Sequence, residues 1–93
     1  MREKHTEQKL IADAKARGGL AVKFVSPGFD GMPDRAVLLP GGHIGFVEVK
    51  APGKVPRPQQ RARLRLLTGL GFKTYVLDDT SQIGGILDEI QSS

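Results

Sequence analysis

The sequence predicts a small α/β fold, in which helices flank a mixed sheet in the order α-β-β-β-α-β-α. The chain has 93 residues, 39% of them hydrophobic, and no cysteine, which suits one domain over residues 1–93 without a disulfide framework. Apolar residues recur at helical spacing in some segments and in short β-branched runs in others. Residues 44–49 are apolar on both faces apart from Glu48, a pattern typical of a covered central strand.

The first half of the chain predicts one helix and three strands. The helix covers residues 6–17 and ends at Gly18-Gly19, because glycine commonly follows a helix. The strands cover residues 20–25, 35–39 and 44–50, separated by turns rich in proline and glycine. Only four residues separate the second strand from the third, so these two should form an antiparallel hairpin.

The second half predicts a helix, a strand and a final helix. Pro58 suits the first turn of a basic helix over residues 58–70, which ends at Gly71. Residues 73–77 form the fourth strand, and the helical connection makes it parallel to the third. Asp79 or Thr80 caps the last helix. Its apolar residues recur at i, i+3, i+4 and i+7: Ile83, Ile86, Leu87 and Ile90.

Positive charge is concentrated in one segment. The chain carries 14 Lys and Arg against 10 Asp and Glu, a net charge of +4. No acid lies between Val49 and Leu77, whereas seven bases do: Lys50, Lys54, Arg57, Arg61, Arg63, Arg65 and Lys73. Such a stripe favours a polyanion, although a solvated helix face has the same composition. No run approaches the roughly 20 apolar residues that cross a bilayer, and no signal peptide is visible.

Charged residues fall where a core is expected. Glu48 and Lys50 share a face of the third strand with Phe46, and burying either charge costs free energy unless it is paired or bound to a metal. Asp34 enters the second strand, so antiparallel pairing brings it to the same edge of the sheet as Glu48. The alternatives are an ion pair at a half-exposed strand end and an aspartate of an ordinary turn.

Two polar residues continue the apolar stripes of helices. Glu7 is in line with Leu10 and Ile11, and Gln60 is in line with Leu64. These positions suit residues that support a buried site. Alternatively, Glu7 favours the positive end of the helix dipole and Gln60 is an ordinary first-turn residue.

These residue types suit metal-assisted phosphodiester chemistry. Asp34 and Glu48 supply the oxygen ligands that Mg²⁺ or Mn²⁺ prefers, completed by a backbone carbonyl and waters. The ion would offset their mutual repulsion and polarise a bound phosphodiester. Lys50 is placed to orient the attacking water or to stabilise the charged phosphate. Glu7 suits a metal-bound water or a second metal, and Gln60 suits Lys50 or a phosphate oxygen.

The ordered set resembles a known nuclease signature. Gly31-Met32-Pro33-Asp34 followed by Glu48-Val49-Lys50 resembles the PD-(D/E)xK motif of restriction-endonuclease-like enzymes. The closer resemblance is to the VRR-NUC (virus-type replication-repair nuclease) family, in which a helical Glu precedes these motifs and a Gln opening a helix follows them. Glu7 and Gln60 fill those places. Gln59 also fits, and we choose Gln60 because it is on the apolar line. The resemblance spans residues 6–76 and indicates a stand-alone domain of phage or bacterial type.

The resemblance implies an Mg²⁺- or Mn²⁺-dependent endonuclease acting on DNA. It implies metal ligation by Asp34, Glu48 and the Val49 carbonyl, with Lys50 catalytic and Glu7 and Gln60 supporting. Members without a helical insertion resemble homodimeric Holliday-junction resolvases, so four-way or otherwise branched DNA is the expected substrate. We expect the basic residues of the helix and the preceding loop to bind the DNA backbone: Lys54, Arg57, Arg61, Arg63 and Arg65.

Two other functions remain open on sequence grounds. A non-catalytic basic module that binds DNA or RNA needs only the cationic stripe, but it gains nothing from carboxylates beside phosphates. A nuclease acting on plain duplex DNA shares the chemistry and differs only in its substrate. For any of these functions we expect the cytoplasm of a bacterial cell or of a phage-infected host cell.

Overall fold

The computed structural model describes residues 2–92, without the side chain of Arg2, so the ends of the predicted domain at Met1 and Ser93 lie outside it. Its elements are α1 (Arg2–Ala16), β1 (Leu20–Lys23), β2 (Arg35–Leu39), β3 (His43–Val49), α2 (Pro58–Gly69), β4 (Lys73–Leu77) and, after a 3₁₀ turn (Thr80–Gln82), α3 (Ile83–Gln91). The predicted order is therefore confirmed. None of these helices is both long enough and apolar enough to cross a membrane.

Two boundaries differ from the sequence prediction by more than one residue. Helix α1 begins at Arg2 instead of residue 6, because its first residues are good helix formers and Glu3 suits the positive end of the helix dipole. Strand β1 ends at Lys23 instead of residue 25. The next backbone N–H, that of Phe24, donates to the Asp34 carbonyl at 2.9 Å, and the chain then leaves the sheet in the loop between β1 and β2.

The four strands form one mixed sheet in the order β1-β2-β3-β4. Strands β1 and β3 both pair antiparallel with β2, and β4 pairs parallel with β3, which confirms the predicted hairpin and the parallel crossover through α2. In the β2–β3 register Arg35 faces Val47. One step further along this register, Asp34 faces Glu48 at the end of the hairpin.

Strand β3 is covered on both faces, as its apolar sequence predicts. Helices α1 and α3 cover the face that carries Val47 and Val49, with Leu10, Ile83 and Leu87 among the buried partners. On the opposite face, the side chains that pack together are Phe24, Ala36, Phe46 and Leu67, of which Leu67 belongs to α2. Because alternate residues of a strand share a face, Glu48 lies on the α2 side with Phe46.

Helix α3 is capped at its start, and it is held at its end by side chains of β4. Asp79 rather than Thr80 caps the turn that leads into α3, since its side chain accepts a hydrogen bond from the Ser81 N–H at 2.9 Å. At the other end, the Lys73 ammonium donates to the Glu89 carbonyl at 2.6 Å. The Tyr75 hydroxyl donates to the Glu89 carboxylate at 3.0 Å. A cation at the last carbonyls suits the negative end of a helix.

This packing predicts an unusually high pKa for Tyr75. Burial and the neighbouring Glu89 carboxylate raise its pKa from 10.0 to about 12, so the contribution of its hydroxyl to stability is present below pH 10 and is lost as the pH rises through 12. Tyr75 is the only tyrosine and the chain has no tryptophan, so ultraviolet absorbance reports this group alone. We expect a titration midpoint near 12 for the folded protein and near 10 in urea.

Circular dichroism on the same samples provides the control, because it shows whether the chain is still folded at each pH. The variant Glu89→Gln should lower the midpoint by removing the adjacent charge. A midpoint near 10 in samples that remain folded would contradict the prediction.

Candidate active site

The end of the hairpin brings two carboxylates together. Asp34 follows the buried Pro33, and its Oδ2 accepts a hydrogen bond from the Val49 backbone N–H at 2.9 Å. Its own carbonyl accepts from Phe24. Asp34 is thus tied to the ends of β1 and β3, beside Glu48, and the sequence prediction that the two acids share an edge of the sheet is confirmed.

Glu48 is the most buried charged residue of the described chain, with 1% of its surface exposed. Its Oε2 accepts a hydrogen bond from Gln60 Nε2 at 2.8 Å and lies 3.3 Å from the Lys50 ammonium. Its Oε1 is buried without a hydrogen-bond partner among residues 2–92. A buried carboxylate oxygen without a partner is costly, so this atom is suited to a ligand that the protein does not itself supply.

The surroundings of Glu48 disfavour its ionised form. Burial is the largest cause that raises its pKa, and the negative charge of Asp34 is the second; Lys50 opposes both through its hydrogen bond and its charge. The net direction is upward. The lysine therefore only partly compensates the acidic pair, and a further cation beside both carboxylates would favour their ionised forms.

Lys50 is held at the place where β3 ends. Its backbone N–H donates to the Leu77 carbonyl at 2.8 Å, which continues the pairing of β3 with β4. Its side chain is 16% exposed and stays beside Glu48. The ammonium group is thus held against the buried carboxylate, on a side chain that retains some exposure.

Gln60 connects the start of α2 to the carboxylates. It is buried, its Oε1 accepts from the Arg57 backbone N–H at 2.8 Å, and its Nε2 donates to Glu48. These two bonds use opposite ends of the amide and so fix its orientation. Gln59, the other glutamine that fits the motif, is exposed and packs beside Gly31. Of the two glutamines, Gln60 is the one that contacts Glu48.

Glu7 lies apart from this group. Its carboxylate pairs with Arg35 Nε at 2.8 Å, and Arg35 also donates to the Ala21 carbonyl. Glu3 instead lies close enough to Glu48 for its charge to raise the Glu48 pKa. Sequence reasoning missed Glu3, although it precedes Glu7 by four residues and so shares its helix face.

The cationic stripe divides into exposed and internal members. Lys54 and Arg57 in the loop after β3, and Arg61 and Arg65 on α2, are exposed. Arg63 is partly buried and donates from Nε to the Asp30 carbonyl at 2.7 Å. Lys73 holds α3, as described above. Of the five residues that we expect to bind DNA, the structure therefore exposes four and places Arg63 in an internal contact.

The donor set fits a hard divalent cation that retains waters. No group of three or more His, Cys, Asp and Glu side chains could enclose a metal ion within residues 2–92. Two carboxylates, one with a buried oxygen that has no partner, instead suit an ion such as Mg²⁺, which usually binds one or two protein carboxylates and keeps several waters.

Known proteins are similar to this chain in sequence and in fold. The chain is 49% identical over 78 residues to "Putative nuclease p44" of Acyrthosiphon pisum secondary endosymbiont phage 1, covering 84% of each protein. A solved structure described as "VRR_NUC domain" superposes with a TM-score of 0.89 and 29% sequence identity, over 95% of this chain and 96% of that one. No family model matches the sequence.

Fold and site together define a nuclease domain of the PD-(D/E)xK class. Within that class, the chain belongs to the VRR-NUC family. The family membership that the sequence predicts is thereby confirmed.

The cost of the buried charge can be measured by removing it. At pH 7 with a chelator present, we expect Glu48→Gln to raise the unfolding temperature by roughly 4 °C, the shift that about 1 kcal/mol gives in a chain of this size. A raised carboxyl pKa means that the ionised form destabilises the fold as the pH rises above the unfolded value of 4.5. The increase in the unfolding temperature should therefore vanish at acidic pH.

Circular dichroism measured during heating gives the unfolding temperatures at pH 7 and in acid. Asp13→Asn is the matched control, because Asp13 forms an exposed pair with Lys9 and should change the unfolding temperature little. An unfolding temperature of Glu48→Gln below that of the wild-type protein would show that ionised Glu48 stabilises the fold.

Proposed function

We propose that this protein is a divalent-metal-dependent endonuclease that hydrolyses DNA phosphodiesters at branched structures, four-way junctions above all, as a homodimer. The observation that carries the proposal is the buried Oε1 of Glu48, which lacks a partner among residues 2–92 although its carboxylate group lies beside a second acid and a lysine. A module that only binds the DNA backbone needs no such arrangement. The nuclease family to which the chain belongs supports the catalytic alternative.

Mg²⁺ or Mn²⁺ would be held by Asp34, Glu48 and the Val49 carbonyl. The N–H and the C=O of one strand residue point toward the same side. Because the Val49 N–H donates to Asp34, its carbonyl faces the same gap. Bound there, such an ion would supply Lewis acidity toward a phosphoryl oxygen, a water and the leaving oxygen.

The side chains around the ion would have separate roles in binding the phosphate and in orienting the carboxylates. In the hydrolysis, a water oxygen bonds to phosphorus while the bond to the leaving oxygen breaks, and the proton that the water loses is balanced by the one that the leaving oxygen gains. The Lys50 ammonium would donate to a phosphate oxygen whose negative charge grows in the transition state. Gln60 keeps Glu48 oriented. Glu7 would act as a positioning residue, since its ion pair fixes Arg35, the residue that follows Asp34.

The exposed cations would bind the phosphates on either side of the cleavage point. Lys54 and Arg57 flank the site from the loop, while Arg61 and Arg65 extend the positive surface along α2. Such contacts are independent of sequence and weaken with salt. This arrangement supports recognition of DNA by its backbone and shape, and plain duplex DNA is the second substrate to test.

An exposed apolar strip supports the homodimer. Leu20 and Leu38 face each other across β1 and β2. Leu20 is 54% exposed, Leu38 is 38% exposed and the neighbouring Val22 is 39% exposed. Contiguous exposed apolar surface is typical of an interface. Leu38 is four residues from Asp34, about 13 Å along a strand, so a partner on the strip leaves the carboxylates free. Two strands cut symmetrically need two active sites, which a two-fold dimer provides.

The cellular setting is part of the proposal. The similarity to a phage protein supports the cytoplasm of a bacterial cell or of a phage-infected host cell, where DNA is accessible.

Cleavage of defined DNA substrates tests the catalytic proposal. With Mg²⁺ or Mn²⁺, we expect product from a labelled four-way junction at higher rates than from flap or linear duplex DNA, and none with a chelator. Asp34→Asn, Glu48→Gln and Lys50→Ala should each lower the rate by about 100-fold or more, since each removes a group that acts in the transition state, while junction binding persists. Gel analysis of initial rates measures this.

Lys15→Ala is the matched control for Lys50→Ala, because Lys15 is an exposed lysine in the last turn of α1. Metal alone should raise the unfolding temperature of the wild-type protein and not that of Glu48→Gln. Product in the presence of chelator, or no product from any substrate with metal, would overturn the proposal.

The oligomeric state tests the apolar strip. We expect the wild-type protein to have twice the 10.1 kDa mass of the chain in light-scattering chromatography, and Leu38→Lys to have the mass of one chain, because a charge on the strip opposes its burial. Val55→Lys is the control, since Val55 is 71% exposed in the loop after β3. A monomeric wild-type protein, or a dimeric Leu38→Lys variant, would contradict this assignment.

A further inference from the structure

Two phenylalanines are exposed, and one of them, Phe29, packs on no other ring in the described residues. Phe46 packs against both Phe24 and Phe72, with ring centroids 5.3 and 5.5 Å apart. Phe29 lies in the loop between β1 and β2 and is 41% exposed, much like Phe72 at 40%, but Phe72 packs on Phe46 whereas no ring packs on Phe29 in the described residues. Exposed aromatic surface contributes nothing to the core, so its place on this loop calls for another explanation.

The loop is fixed against α2. The Arg63 guanidinium lies over the Phe29 ring, 3.8 Å from its centroid, and donates to the Asp30 carbonyl. Gly31 has a φ of +89°, and a Cβ there would come within 2.9 Å of Gln59 Cγ. Only glycine suits this backbone and this close approach. Phe29 is therefore held in place by the helix that carries the exposed cations.

This ring is close to the carboxylates. Arg63 follows Gln60 by three residues, roughly 5 Å along the helix axis, and Gln60 donates to Glu48. The spacing between base pairs along DNA is about 3.4 Å. A phosphate at the proposed metal site beside Glu48 would therefore leave Phe29 within a few nucleotides of the scissile bond.

The chemistry of a partly exposed ring that packs on an arginine suits a nucleobase. Bases stack on aromatic side chains with little regard to sequence, and arginine strengthens such sites. Arg63 occupies one face of the ring, and the exposed part remains for a base. In a continuous duplex the bases are stacked on one another, so only an unpaired or displaced base can reach Phe29.

We propose that Phe29, supported by Arg63, stacks on an unpaired base at a DNA branch point and thereby favours branched over continuous duplex DNA. This inference rests on the proposed nuclease function and assigns its substrate preference to a residue outside the catalytic group. Arg63, which we expect from the sequence to bind the DNA backbone, acts here as a positioning residue for the ring.

Two measurements test the stacking. The first is steady-state cleavage of a branched substrate with unpaired bases and of a duplex with the same cleavage sequence. Phe29→Ala should raise KM about tenfold on the branched substrate, the usual effect of losing one stacked base, with kcat and duplex cleavage unchanged. The second is the fluorescence of 2-aminopurine at the branch point in chelator, where wild-type protein should quench it and Phe29→Ala should not.

Conservative variants separate stacking from packing. Phe29→Trp should retain both the low KM and the quenching, whereas Phe29→Leu should resemble Phe29→Ala because it keeps apolar bulk without an aromatic face. Val25→Ala is the matched control, since Val25 lies close by in the same loop, is 69% exposed and should leave both readouts unchanged. Circular dichroism of each variant confirms that the fold persists.

Three results would overturn the proposal. They are an unchanged branched-to-duplex ratio in Phe29→Ala, an equal loss on both substrates, and wild-type behaviour of Phe29→Leu. If the wild-type protein cuts no DNA at all, the nuclease proposal fails, yet the fluorescence measurement still decides whether Phe29 stacks on an unpaired base.

Discussion

The structure of the site depends on one buried ionisable group. Glu48 lies in the middle layer of the protein, on the central strand of the sheet, and only Gln60 and Lys50 contact its carboxylate with polar atoms in the described residues. One oxygen has no partner and a second acid lies alongside. Placing such a group in a core opposes folding, so the surrounding strands and helices must stabilise the fold sufficiently to retain it.

Much of the fold follows from local sequence. The hairpin could be predicted because its connection is short and its strands are strongly apolar, and β3 because both of its faces are apolar. The same reasoning predicts that Asp34 and Glu48 lie close together, since antiparallel pairing brings the start of β2 and the end of β3 to the same edge of the sheet. Gln60 was identified by its place on an apolar stripe. Each of these predictions needs only the periodicity of one element or the pairing of two neighbouring elements.

Other features could not be predicted, because they depend on contacts distant in sequence. Counting charges assigns Arg63 and Lys73 to one stripe, but their partners are the carbonyls of Asp30 and Glu89, 33 and 16 residues away. Glu7 fits the motif by position, whereas its pairing with Arg35 depends on how α1 lies across β2. A side chain's charge predicts what it prefers to contact, and only the tertiary fold decides which candidate lies within reach.

Two hydrogen bonds in series join the loop after β3 to the buried carboxylate: the Arg57 backbone donates to Gln60, and Gln60 donates to Glu48. The side chain of Arg57 is exposed, while its backbone N–H takes part in this series. Under the proposed function, a shift of that loop on binding a polyanion would therefore reach the Glu48 carboxylate. Thermodynamic linkage would make such an effect mutual: a cation that raises the affinity for nucleic acid would itself be bound more tightly once nucleic acid is bound.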